Sequence, residues 1–186
     1  MGRNNTVYLL VGQRGSGKSH YAKQVIERQP EISAVSRDEI LVRLFGSVHM
    51  SPYTGGQYFA QEIMYRLLRR KLSTQTGLKL ILDTWTGYSE ERRSLVKKLR
   101  QYGATRIVAL YFVTSLKTVN IWFWEKPGIA KAEEMKARQG KGFVFFSKDA
   151  PSHDYEFFHE NASQINSDGF DKVIRIDPKK ELISLI

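Results

Sequence analysis

Thr6-Val7-Tyr8-Leu9-Leu10-Val11-Gly12-Gln13-Arg14-Gly15-Ser16-Gly17-Lys18-Ser19 is the stretch on which the architecture turns. Residues 6–11 are an apolar, β-branched run of strand length. Residues 12–19 satisfy G-x-x-x-x-G-K-[ST] at every fixed position, and residues 20–28 read as a polar–apolar helix closed by Pro30. Average composition makes a chance match in a chain of this length an event on the order of one per cent, and here the motif also follows a strand and opens a helix. Glycines let such a loop turn its backbone N–H groups inward, the helix N-terminus adds partial positive charge, and Lys18 and Ser19 reach for phosphate oxygens and Mg²⁺.

Working outward, further strands are predicted at residues 32–36, 79–83, 106–113 and 172–176, with helices at 39–45, 57–72, 89–102, 116–125 and 130–138. Strands alternating with helices along the whole length imply parallel crossover units. The expected fold is α/β, a three-layer P-loop architecture of the kinase type with a five-stranded parallel sheet, read as one domain over residues 1–186. Two glycine- and polar-rich stretches, 46–56 and 139–154, interrupt the pattern as candidate binding loops, and a helical lid is expected over about residues 120–150. The tail from 178 to 186 reads as a short helix or packed end.

Hydrophobic residues at 41% of 186 are enough for a core. The absence of cysteine removes disulfides, thiolate metal sites and Cys nucleophiles, so any metal must sit on oxygen or imidazole. His20, His49, His153 and His159 have no ligand spacing with one another. Apolar stretches such as 7–11 are only strand-length and residues 1–5 lack an h-region, so neither a membrane span nor a secretory signal is expected, and the location expected is cytoplasmic. A net charge of +10 favours polyanionic partners, nucleic acid foremost, although nucleotide handling or solubility accounts for the same charge.

Ligands of open α/β sheets bind beyond the carboxyl ends of the strands, and two acidic residues fall there. Asp83 ends the third predicted strand and suits a Mg²⁺ partner of Ser19, the alternative being a helix cap or turn aspartate. Asp38 follows the second strand, where a carboxylate can take the proton of an attacking hydroxyl; the alternative is an N-cap for the helix at 39–45. Neither Asn-Lys-x-Asp nor a post-strand Asp-x-x-Gly is present, which speaks against a guanine-specific GTPase and for a phosphotransferase.

The order Gly12-x-x-Gly15-Ser16-Gly17-Lys18-Ser19, Arg37-Asp38, Ile81-Leu82-Asp83-Thr84 and Glu91-Arg92-Arg93 resembles the 5′-kinase domain of bacteriophage polynucleotide kinase over residues 6 to about 113. That family belongs to a wider group of small P-loop kinases with zeta-toxin-like and small-molecule members. The resemblance implies ATP and Mg²⁺ as cofactors, Lys18 and Ser19 on phosphate and metal, Asp38 as the base activating a 5′-hydroxyl, and Asp83 supporting the site. Residues expected on the nucleotide are Gly12, Arg14, Gly15, Ser16, Gly17, Lys18, Ser19 and His20; on the acceptor, Arg37, Asp38, Thr84 and Arg92. Two departures stand out. Leu41 replaces a second arginine after the base, and Val119 to Lys126 offers aromatics and one lysine where the family places lid arginines. Lys126 and Arg138 are the expected lid cations, with Lys131, Lys136 and Lys141 nearby.

Arg66, Arg69, Arg70 and Lys71 cluster on one predicted helix, and Arg92, Arg93, Lys97, Lys98 and Arg100 on the next. They read either as solvated helix faces or as contacts to a nucleic-acid backbone. Trp122, Phe123 and Trp124 cannot all face one side of a helix, so at least one is expected exposed or in a pocket, with base stacking open to it; Phe143, Phe145 and Phe146 carry the same choice, and Tyr53 lies in the first loop. The leading expectation is phosphoryl transfer from ATP to a nucleic-acid 5′-hydroxyl. A small-molecule kinase and a nucleotide-binding module with little transfer are the alternatives.

Overall fold

The computed structural model describes residues 3–46, 48, 55–125 and 148–180. The first strand, β1 (Asn5–Val11), sits in the middle of one parallel sheet, and residues 7–11 are buried without a break. Such unbroken burial is what a strand covered on both faces requires. The other strands are β2 (Ser33–Ser36), β3 (Lys79–Asp83), β4 (Ala104–Phe112) and β5 (Lys172–Ile176), in the order β2-β3-β1-β4-β5.

Alternation along the strands divides the core in two. Tyr8, Leu10, Ile81, Leu110 and Phe112 face α1 (Lys18–Arg28), which buries Tyr21, Ala22 and Val25 against them. Val7, Leu9, Val11, Leu80, Leu82, Ile107 and Ala109 face the opposite layer. That layer is built from α2 (Arg37–Phe45), α3 (Gly56–Thr74), α4 (Ser89–Tyr102) and, after α5 (Leu116–Trp124), the closing helix α6 (Ala150–Ala162). The result is the expected three-layer α/β fold. No helix among the described residues is long and apolar enough to cross a membrane.

The strands at 79–83 and 172–176 and the helix at 89–102 fall where the sequence places them. Differences gather at element ends. Helices α1 and α2 begin two residues early, at Lys18 and Arg37, because the phosphate loop and β2 feed straight into them. The stretch 139–154 is not irregular to its end: residues 150–154 open α6, whose Pro151 suits a first turn where its missing N–H has no partner to lose. The predicted helix at 130–138, most of the lid, and residues 181–186 lie outside the described residues, while 178–180 form a turn after β5.

One ion pair fastens the far layer. Arg92 on α4 is fully buried; its Nε donates to Asp168 Oδ2 at 2.5 Å, Nη1 to the carbonyls of Thr86 and Gly87 at 2.9 and 3.0 Å, and Nη2 to the carbonyl of Asn161 at 2.7 Å. Ser89 donates to the second oxygen of Asp168. Further along, Asp171 Oδ2 accepts from the Ile107 N–H at 2.5 Å and from Arg100 Nη2 at 2.6 Å, pinning the approach to β5 onto β4. Burial alone would raise the Asp171 carboxyl, but the N–H and the guanidinium outweigh it and hold it below the ordinary aspartate value.

Truncating Arg92 strips the buried Asp168 of its closest cation, leaving only the Ser89 hydroxyl and the more distant Arg93, so Arg92→Ala should cost about 3–5 kcal/mol in denaturant unfolding, against at most about 1 kcal/mol for Arg93→Ala, whose side chain is half-exposed. A depressed carboxyl stabilises the fold above its unfolded pKa and ceases to as pH falls through its folded pKa. The penalty of Asp171→Asn seen at pH 7 should therefore shrink below about pH 4, in unfolding curves across pH.

Candidate active site

The strand order brings the carboxyl ends of β2, β3 and β1 side by side, with Ser36 in register with Asp83. The loop leaving β1 therefore lies next to Asp83 and to the first turn of α2. Two glycines in it hold positive φ, Gly15 at 77° and Gly17 at 88°, a region side chains resist. Space is equally decisive: a Cβ on Gly15 would stand 2.8 Å from the Val119 carbonyl of α5, and one on Gly17 2.9 Å from the Trp122 ring. Ser16 Oγ donates to the Gln13 carbonyl at 2.7 Å and Thr114 Oγ1 to the Ser16 carbonyl at 2.8 Å, which locks the loop to the segment before α5. Its N–H groups and the N-terminus of α1 form an anion cradle.

Lys18 Nζ rests on the carbonyls of Gly12 and Gln13 at 2.6 and 2.8 Å. Ser19 Oγ donates to Asp83 Oδ2 at 2.6 Å. These are hard oxygen donors of the kind Mg²⁺ takes, and no cluster of three or more metal-binding side chains exists among the described residues, so a cation here would draw its remaining ligands from phosphate and water. Asp38 stands in the first turn of α2 with its side chain about half-exposed, and Arg37 Nη2 lies 3.4 Å from its Oδ1. Neither aspartate is a cap: Ser36 caps α2 by accepting from the Glu39 N–H, and Asp83 ends its strand on Ser19.

A cleft of about 350 Å³ joins these groups, lined by Lys18, Ser19, Asp83 and Thr84 together with Arg37 and Asp38. Arg14 and Trp85 also line it. Arg14 is gripped from α6: Nε and Nη2 reach the two carboxylate oxygens of Asp154 at 2.5 and 2.7 Å, with its guanidinium 6.0 Å from the Trp85 ring and 5.9 Å from the Phe123 ring. On the other flank of the loop a hollow of about 490 Å³ is bounded by Gly15, Gly17, Lys18, His20, Gln24 and Trp122. Glu125 and Pro178 complete it, so of the aromatic trio Phe123 is buried and Trp122 faces a pocket.

Three readings require correction or fall outside the structure. Arg92 cannot contact an acceptor, because it is fully buried and its donors are spent on Asp168 and backbone carbonyls. The basic cluster on α4 shrinks with it: Arg100 is held by Asp171, Arg93 donates to Ser89 Oγ, and Lys98 lies 4.1 Å over the Tyr65 ring. Lys126, Arg138, Lys131, Lys136, Lys141, Tyr53, His49 and the three phenylalanines at 143, 145 and 146 lie outside the described residues. Sequence reasoning missed Trp85, Gln57 and Asp154. Trp85, two residues past a strand-end aspartate, was open to notice; Asp154, 140 residues from Arg14, carried no local signal.

The AAA domain family matches residues 7–143. No curated protein matches the chain. Among solved structures, a chain of the Pnkp1/Rnl/Hen1 RNA repair complex is similar at a TM-score of 0.63 and 16% identity, covering 88% of this chain and 47% of its own. This chain thus spans about half the length of that relative. A fungal RNA kinase is similar at 0.50 and 14% identity, covering 98% and 77%. Shikimate kinase from Acinetobacter baumannii, in complex with shikimate, is similar at 0.54 and 12%, covering 93% and 84%. Likeness at these identities shows the fold.

Adding a methyl group at Gly17 forces both φ 88° and a clash with Trp122. Gly17→Ala should therefore weaken ATP binding at least about tenfold in calorimetric titration, from about 1–3 kcal/mol of backbone strain.

Proposed function

Because the chain belongs to the AAA domain family and has the fold of a P-loop kinase, we propose that it acts as one domain that transfers the γ-phosphoryl of ATP to the 5′-hydroxyl of a DNA or RNA strand. The observation that carries this reading is the meeting of Lys18, Ser19, Asp83 and Asp38 in one cleft. The loop N–H groups and Lys18 hold the nucleotide phosphates. Mg²⁺, held by Ser19 and by Asp83 directly or through water, supplies neutralising charge on those phosphates when bound.

Asp38 is the general base. The acceptor oxygen bonds to Pγ as the bond from Pγ to the β–γ bridging oxygen breaks, the hydroxyl proton passes to the Asp38 carboxylate, and the nucleoside diphosphate leaves with the electron pair. Its half-exposed position suits a base that must meet a large substrate from solvent.

Arg37 supports a polynucleotide rather than a small alcohol. Its Nε is buried without a hydrogen-bond partner among the described residues, while the side chain lines the cleft, so a backbone phosphate beside the 5′-terminal hydroxyl would satisfy it. The cleft also continues past Arg37, Thr84 and Trp85 into a second hollow of about 340 Å³ between α3 and α4, bordered by Tyr65 and Lys98. Trp85, which borders both hollows, offers an aromatic surface for a base, and the charge of +10 suits an anionic strand, with Glu90 and Glu91 bordering the second hollow and marking where the strand's phosphates stay clear.

The test is transfer of labelled γ-phosphate from ATP to 5′-hydroxyl DNA and RNA oligonucleotides, with a 5′-phosphorylated strand as control. Labelling should require the free hydroxyl, and Asp38→Asn should slow it by on the order of 10²–10⁴-fold while leaving ATP affinity unchanged. Acceptor affinity should fall steeply with salt. Absence of label on every oligonucleotide, with ATP still bound, would overturn the acceptor and redirect the search to small hydroxyl compounds or to a nucleotide-dependent binding role.

A further inference from the structure

The described residues of α5 and the turn after it, residues 116–125, carry no arginine, yet two guanidinia, those of Arg14 and Arg37, line the cleft from other elements, and Arg14 belongs to the phosphate loop. We infer that Arg14, inside the phosphate loop itself, is the catalytic cation that meets charge on the transferring phosphoryl, with Asp154 of α6 as its positioning residue. The inference rests on the phosphotransferase reading and extends it.

Placement is the first argument. Arg14 lines the same cleft as Lys18, Ser19, Asp83 and Asp38 and stands inside the phosphate loop. Preorganisation is the second. Asp154, only 14% exposed, takes the Nε–Nη2 edge with two bonds, and the aromatic rings of Trp85 and Phe123 lie about the guanidinium plane at 6.0 and 5.9 Å. A long side chain with 41% of its surface exposed is thereby held in one orientation before any substrate arrives. A donor fixed in advance toward developing charge costs no reorganisation at the moment of reaction. The anchorage is itself built in: Trp85 lies flat on Gly87, where a Cβ would come within 2.3 Å of the indole, and α6 is tied to α4 through the Asn161 carbonyl and Arg92. None of this is needed to bind ground-state nucleotide, for which the loop amides, Lys18 and the α1 N-terminus suffice.

The experiment compares binding of ADP with Mg²⁺ in the presence and absence of aluminium fluoride, a mimic of the phosphoryl in flight that requires no knowledge of the acceptor. Wild type should bind ADP much more tightly with fluoride present. Arg14→Ala should lose at least tenfold of that enhancement beyond whatever it changes in affinity for ADP alone, and millimolar guanidinium should restore part of it. Arg14→Lys, which keeps the charge and guards against misfolding, should recover little, since lysine lacks the fork. Asp154→Asn should reduce kcat for γ-phosphoryl transfer about tenfold with KM for ATP unchanged. A fluoride-dependent enhancement over plain ADP that survives Arg14→Ala undiminished would overturn the assignment. A wild-type protein with no fluoride-dependent enhancement would instead overturn the phosphotransferase reading beneath it.

Discussion

A guanidinium with no exposed surface cannot fall back on water, so every N–H it carries must find a protein acceptor. Arg92 meets that demand by drawing in the carboxylate of Asp168, the carbonyls that follow β3 and the carbonyl at the end of α6. Two stretches far apart in sequence, residues 86–92 and 161–168, are thereby brought to one point. The placement of α6 depends on this point, and with it the position of Asp154 against the phosphate loop. A group that reads as a nucleic-acid contact in the sequence is in fact what holds the site's outer wall in place.

How much of this could be read in advance follows from the range of each interaction. The loop from Gly12 to Ser19 announces itself because its chemistry is written in eight contiguous residues, and α4 because its apolar positions recur at helical spacing up to the Gly103 cap. Asp38 and Asp83 were legible as strand-end acids, and the structure adds their rigid neighbour relation through parallel β2 and β3. What escaped was long-range. Nothing near Arg92 distinguishes it from exposed Arg93 beside it, since burial on a helix is decided by what lands on it from elsewhere. The pairing of Arg14 with Asp154 was hidden for the same reason, and so was the start of α6 inside a stretch whose polar composition reads as loop.

The electrostatic design of the cleft is a balance rather than a positive patch. Cationic Lys18, Arg14 and Arg37 alternate around the carboxylates Asp83, Asp38 and Asp154. Isolated positive charge would hold any phosphate in its ground state, which lowers KM without hastening transfer. Carboxylates beside the cations temper such ground-state attraction.

The buried pair also has a meaning in time. Asp168 lies 76 residues beyond Arg92, so during synthesis α4 leaves the ribosome several seconds before its counter-charge exists, at about 5–20 residues per second. Until then the nascent chain has reason to keep Arg92 in water, and the α4 side of the sheet stays open even though β1 to β3 and α1 are already available to pair. Arrival of Asp168 closes that layer and, in the same step, seats α6 over the phosphate loop. The cleft is thus completed only once residues 150–168 have followed α4.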